Sequence, residues 1–171
     1  MNALELLDIY DENLTPLGVK PRGDVHRDGD WHRVFHCWVM DRDAAGVDWL
    51  VMQKRAADKD TFPSMLDVSA AGHYCSGESI TDGLREVQEE LGITPRFADL
   101  IPVGRRMSAA RYSGLIDREI ADVFLLRYSA DLAAYAPDPV EVAGLVAFTI
   151  DDGLALFAGE RAVMDADGQV V

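Results

Sequence analysis

Between Gly72 and Ile93 the chain reads GHYCSGESITDGLREVQEELGI, and no other stretch restricts the available folds so tightly. Glu86, Glu89 and Glu90 stand at offsets i, i+3 and i+4, which on a helix puts three carboxylates on one face. Like charges so placed repel, by a few tenths of a kcal/mol per exposed pair. A divalent cation turns that repulsion into ligation, because hard cations take oxygen ligands and sit readily beside phosphates. Ser79 is a good N-cap, with Asp82 three residues on in the manner of a capping box, and Gly92 supplies a stop after Leu91. The pattern predicts a glycine turn feeding a metal-binding helix.

The rest of the composition fits a conventional enzyme around that helix. A chain of 171 residues with 49% hydrophobic content is long enough for a single domain, 1–171, with a sizeable core. A formal charge of −14 excludes the basic stripes that nucleic-acid polymers and anionic membranes require. A small polyphosphate remains an acceptable partner if metal ions and a few local Arg or Lys residues invert the field. Two cysteines, Cys37 and Cys75, make no disulfide framework, so a reducing, cytoplasmic setting is expected. No apolar run approaches the ~18–20 residues of a membrane span.

Along the chain, Leu4–Tyr10 and Leu17–Val19 read as an opening hairpin, and WHRVFHCWVM (Trp31–Met40) as a strand rich in aromatic and β-branched residues. Further strands are expected at Trp49–Lys54, Leu66–Ala71, Leu100–Arg106, Glu119–Arg127 and Val142–Phe148. Asp151-Asp152 would cap a helix through Phe157, and Trp31, Trp38 and Trp49 would fill the core. Many strands, one central helix and one late helix suit an α/β fold with a mixed sheet.

The 72–93 segment resembles the Nudix box, whose pattern is Gly, five residues, Glu, seven residues, then Arg-Glu-apolar-any-Glu-Glu-any-Gly-apolar. Gly72 and Glu78 match its first half, and Arg85 to Ile93 its second. One departure stands out: six residues, Ser79–Leu84, lie between Glu78 and Arg85 where the family has seven. Inside a helix such a deletion would rotate the upstream part by about 100°. At the helix entrance it would only shorten the first turn, which the Ser79 cap favours, leaving Glu78 as the residue in doubt. The resemblance implies an α/β/α sandwich and a pyrophosphohydrolase using Mg²⁺ or Mn²⁺ on a small-molecule diphosphate. It implies metal ligands at Glu86, Glu89, Glu90 and the Gly72 carbonyl, with Arg85 holding the glutamates. The general base would be Glu86 or a glutamate outside the box, for which Glu119 is the best candidate; Asp117, Asp122 and Glu141 are weaker ones.

The N-terminal half is similar to the branch of the superfamily that contains isopentenyl diphosphate isomerase. That resemblance implies a metal site from His26, His32 and His73 with Asp117 and Glu119, and a diphosphate grip by Arg22, Arg55 and Lys59. The simpler expectation for His26 and His32 is a turn and a strand histidine, because ligands dispersed in sequence carry little specificity. The isomerase also needs a cysteine just before its Gly-His, where this chain has Ala71, and it has largely lost the paired glutamates kept here. A hydrolase is therefore preferred to an isomerase or to a domain that binds a nucleotide or partner without cleaving it. Phe62, Tyr74 and Tyr112 are candidates for stacking on a base; Arg105, Arg106 and Arg111 are candidates for phosphate contact. A homodimer is the commonest closed assembly.

Overall fold

The computed structural model describes residues 5–159. Leu6–Tyr10 (β1) and Pro16–Pro21 (β2) form the opening hairpin. Arg22–Asp28 (α1) is a helix where the sequence suggested a turn. Gly23 and Asp24 are weak helix formers and mask it. The signal that would have found it is the pair of ends, with Pro21 at the N-cap and Gly29 closing the helix at φ +75°. There follow β3 (Trp31–Arg42), β4 (Asp48–Arg55), β5 (Leu66–Asp67), β6 (Ala70–His73), α2 (Arg85–Leu91), β7 (Leu100–Tyr112), β8 (Leu115–Arg127), β9 (Val142–Thr149) and α3 (Ile150–Phe157).

β3 organises the sheet. One of its edges runs parallel to β8, from Trp31 opposite Arg118 to Met40 opposite Arg127. The other edge is shared in turn by β1 at His32, β6 at Phe35 and β4 at Val39, all antiparallel. β7 extends the sheet beyond β8, and β9 extends it beyond β4. Helices pack against this mixed sheet, giving the expected α/β/α sandwich.

The expected strand at 66–71 is split in two. The Ser69 hydroxyl accepts from Val39 N at 2.7 Å and donates to the Val51 carbonyl, so the chain leaves β4 there and crosses to β3. That crossing is what delivers Gly72 and His73 to the site. Thr149, not Asp151 or Asp152, caps α3, accepting from Asp152 N at 3.1 Å.

The core is built from Phe35, Cys37, Val39, Val87, Leu91, Phe124 and Leu126. The three tryptophans stand outside it, each only half-buried. Two of them find partners at the periphery instead: Trp49 Nε1 donates to Asp43 at 3.1 Å, and the Arg118 guanidinium lies over the face of the Trp31 ring at 5.8 Å.

The shortened box is absorbed where it costs least. Asp82–Leu84 forms a 3₁₀ turn before α2, the tighter winding accommodating one residue fewer. Asp82 reaches back to Ser79 N at 2.8 Å and to its hydroxyl at 2.6 Å. At the other end Gly92 is left-handed at φ +69°, and a Cβ there would collide with the Ala136 carbonyl. Gly92→Ala should therefore lower the unfolding free energy by about 2 kcal/mol, read from the denaturant midpoint; an unchanged midpoint would mean that the end of α2 is loosely held.

Candidate active site

α2 turns Val87 and Leu91 into the core and Glu86 and Glu90 toward a cavity of about 740 Å³. Glu86 and Glu90 are buried, 8% and 4% exposed, whereas the Glu89 side chain is 57% exposed at the rim. The Glu86 carboxyl lies directly against Gly72, so a Cβ at that position would fall onto it. This close approach, and not an unusual φ, is why glycine is needed there. Glu90 is fixed by Gln53 Nε2 and Ala71 N, each at 2.8 Å from Oε2.

Arg85 ties the set together. It pairs with Glu86 at 2.5 Å, with Glu78 and Glu89 at 3.2 Å each, and donates to the His73 carbonyl at 2.8 Å. Glu78 also accepts from Cys75 N at 2.7 Å, so the residue left in doubt by the short spacing closes the turn and supports Arg85.

His32 lies on strand β3 as expected, but His26 lies on the helix α1 and not in a turn, and the two do not stand apart. α1, the start of β3 and the end of β6 bring His26, His32 and His73 together, with ring centroids 4.9–5.3 Å apart. Their ligand atoms lie within 4.8 Å of one another, close to the ~4 Å spanned by two nitrogens on opposite sides of a metal ion. His26 Nδ1 donates to the Arg22 carbonyl at 2.9 Å and His32 Nδ1 to that of Asp30 at 3.1 Å. Those bonds leave each Nε2 as a lone pair, the arrangement typical of ligating histidines. Both Nε2 atoms stand 3.6 Å from Asp117 Oδ1, and His32 Nε2 and Asp117 Oδ1 are buried without a hydrogen bond. Orphaned buried groups of that kind fit a cation ligand set. Glu119 lies on the same β8 face, opposite His32 in register, with His36 Nε2 3.7 Å from its carboxylate. His36 had no signal in the sequence beyond its strand.

Burial governs the titration of these groups. It pushes Glu86 up to about 8, against Arg85 and with help from Glu90 and Glu89. It raises Glu90 to about 7 despite the bonds from Ala71 and Gln53, and Glu119 to about 8 with a further push from Asp117. It pulls His32 down to about 4 and His73 well below its ordinary value, keeping both neutral and able to ligate. Asp117 is lowered in spite of its burial, by its contact with His26 and by the positive charge around it, Arg22 included.

The three expected diphosphate contacts line the same cavity, each already paired with an acid. Arg22 meets Glu5 at 3.6 Å and Asp60 at 3.4 Å, Arg55 meets Asp67 at 2.8 Å, and Lys59 meets Glu141. Of the arginines after the box, Arg106 lines the cavity, while Arg105 turns to Asp122 at 2.9 Å and Arg111 is exposed. Tyr74 is buried in the core cluster beneath Arg33 and takes no part in the cavity.

A glycine turn, a helix with the Arg-Glu-x-x-Glu-Glu face and a β3–β8 platform are the features of one known family, and the NUDIX domain model matches residues 30–166. The chain belongs to the Nudix family. It is 44% identical over 157 residues to an uncharacterized Nudix hydrolase of Clostridium acetobutylicum, covering 92% of this chain and 75% of that one. An isopentenyl-diphosphate Delta-isomerase of Paenarthrobacter aurescens is 31% identical, covering 84% and 75% of the two chains. Among solved structures, a Deinococcus radiodurans protein superposes with a TM-score of 0.64 at 25% identity, covering 91% of this chain and 90% of its own. Arg22 and His26 lie before the part matched by the Nudix model, on α1. No helix among the described residues is long and apolar enough to cross a membrane.

Raised carboxyl pKa values make the folded, metal-free protein bind protons more readily than the unfolded chain does. The stability these carboxyls contribute is full below about pH 4.5 and is lost as pH climbs through about 7 and 8. Above about pH 7.5 the buried histidines are neutral in both states, their ordinary value being 6.5, and no longer vary. In chelator, therefore, the melting temperature should fall between about pH 7.5 and 8.5, and Mn²⁺ should restore more of it at the upper end than at the lower. A metal effect independent of pH would contradict the burial of these carboxyls.

Proposed function

We propose that this Nudix protein hydrolyses a diphosphate linkage in a small molecule, with Mg²⁺ or Mn²⁺ held by Glu86, Glu89, Glu90 and the Gly72 carbonyl. The observation that carries the reading is the Glu86–Gly72 contact. A buried carboxylate pressed onto a backbone turn, with Glu90 anchored beside it and Arg85 as its closest cation, is a negative pocket that a divalent ion would neutralise. A second ion is supported at His26, His32, His73 and Asp117, with Glu119 adjoining.

Divalent ions supply charge neutralisation at the phosphate oxygens and lower the pKa of an attacking water. The chain's own residues do the rest. Arg22, Arg55 and Lys59 exchange their acid partners for phosphate oxygens and fix the linkage in the cavity. Glu119 or Glu86, both poised near neutrality by burial, accepts the proton of the water at its carboxylate. Arg85 keeps Glu86 and Glu89 in place and ties them to the His73 carbonyl.

Isomerisation is disfavoured by the position before Gly72-His73. Ala71 has no ionisable group, and its N–H is committed to Glu90. Cys75 lines the cavity but stands three residues beyond Gly72, with Sγ 3.9 Å from Arg85 and a thiol pushed up by burial and by Glu78.

The test is metal-dependent turnover over nucleoside di- and triphosphates, nucleotide sugars, dinucleotides, coenzyme A and isopentenyl diphosphate. Wild type should release a phosphate-bearing product from at least one. Glu86→Gln and Glu89→Gln should lose on the order of 100-fold or more, and Arg85→Ala ~10–100-fold, as for a residue that supports the ligands. Conversion of isopentenyl diphosphate to its double-bond isomer, or silence across the panel in a protein that binds Mn²⁺, would overturn the reading.

A further inference from the structure

Glu5 stands immediately before β1 and lines the cavity, and the hydrolysis described above gives it no task. Its carboxylate faces two ways. Oε2 meets Arg22 Nε at 3.6 Å, and Oε1 meets His73 Nδ1 at 3.5 Å. Neither contact is needed to hold the chain in place, because the backbone does that on both sides. Arg22 N donates to the Glu5 carbonyl at 2.8 Å, and Ser76 N donates to the Leu6 carbonyl at 2.7 Å. The first bond ties the start of β1 to α1, and the second ties it to the turn that follows His73. The side chain at position 5 is therefore held at a fixed place between Arg22 and His73, and its charge is free for another use.

The three histidines share one pattern. His26 turns Nδ1 to the Arg22 carbonyl and His32 turns Nδ1 to the Asp30 carbonyl. For His73 the group that faces Nδ1 is a carboxylate. A ligating histidine has its other ring nitrogen on such an acceptor, which fixes the tautomer and raises the basicity of the ligating nitrogen. Arg22 keeps a second acid, Asp60 at 3.4 Å, whereas among the described residues Glu5 is the one acid paired with His73. Resting on the reading above, in which a second ion sits at the histidines, we infer that Glu5 is a positioning residue for that ion. It orients His73 through Nδ1 and leaves Nε2 to join those of His26 and His32. A strand outside the box-bearing segment thereby completes the histidine set, while its backbone bond to Arg22 sets the place of α1 and so of His26.

The experiment is a Mn²⁺ titration of the whole chain by electron paramagnetic resonance, with nitrogen coupling read from spin-echo modulation, for wild type, E5A, E5Q and R22A. E5A should weaken the nitrogen-coupled class by ~10–100-fold, the scale for losing a carboxylate that orients a ligating histidine. The carboxylate class on α2 should be unchanged. E5Q keeps an oxygen that can accept from Nδ1, so it should fall between wild type and E5A. R22A removes the other partner of Glu5 together with a nearby positive charge, and should bind nitrogen-coupled Mn²⁺ at least as tightly as wild type. An unchanged nitrogen-coupled class in E5A and E5Q would overturn the role of Glu5 while leaving the second ion standing. So would equal losses in E5A and R22A, which would make Glu5 a counter-charge to Arg22, or equal losses in the two classes. Absence of nitrogen-coupled Mn²⁺ from wild type would overturn the second ion and the role of Glu5 together.

Discussion

Arg85 is the interaction on which the site depends. One guanidinium meets Glu78, Glu86 and Glu89 and the His73 carbonyl, so it joins the turn, the first residues of α2 and the end of β6. Without it three carboxylates would repel one another, from buried Glu86 to exposed Glu89 at the rim. With it the negative charge still exceeds the positive, since Glu90 has only neutral donors, Gln53 and Ala71. A scaffold that holds surplus buried acid in a fixed arrangement is suited to a cation and poorly suited to standing empty.

The second acidic concentration is built differently. The histidines come from three separate elements, and the aspartate between two of them from a fourth. Neither Nε2 of His26 nor that of His32 is used in packing; each is left pointing at Asp117 by a bond on the far side of its ring. The two arrangements adjoin because Gly72 and His73 are consecutive, one lying beneath Glu86 and the other facing the histidines. The cationic wall of Arg22, Arg55 and Lys59 completes the cavity, and each of these three cations already has an acidic partner that a phosphate would have to replace.

What was legible in the sequence was local. The Arg85–Ile93 spacing and the Gly92 stop each depend on neighbours within a turn or two, and the mixed α/β architecture follows from the order of strands and helices; Ser79, by contrast, is not the N-cap, since the 3₁₀ turn is entered at Thr81 and α2 at Leu84, neither with a side-chain cap. What was not legible depended on register. His32 meets Glu119 because β3 and β8 run parallel with those residues opposite, and His26 arrives only because Arg22–Asp28 is a helix. Glu141, one of the weaker candidates for the general base, is held against Lys59 from a distant strand connection. The tryptophans misled for a related reason: alternation on β3 puts Trp38 on the face opposite Cys37 and Val39, whereas Trp31 and Trp49 share the core-facing parity but stand at the starts of β3 and β4, where the core thins out.

Two adjoining but separate cation positions are the central claim, and a Mn²⁺ titration followed by electron paramagnetic resonance tests it most directly, run on wild type, His32→Gln and Glu90→Gln. Two classes of bound Mn²⁺ are predicted, with the nitrogen-coupled class lost in His32→Gln and the carboxylate class lost in Glu90→Gln. A single class abolished by both substitutions would contradict it, and would mean that the histidines and the α2 carboxylates share one ion.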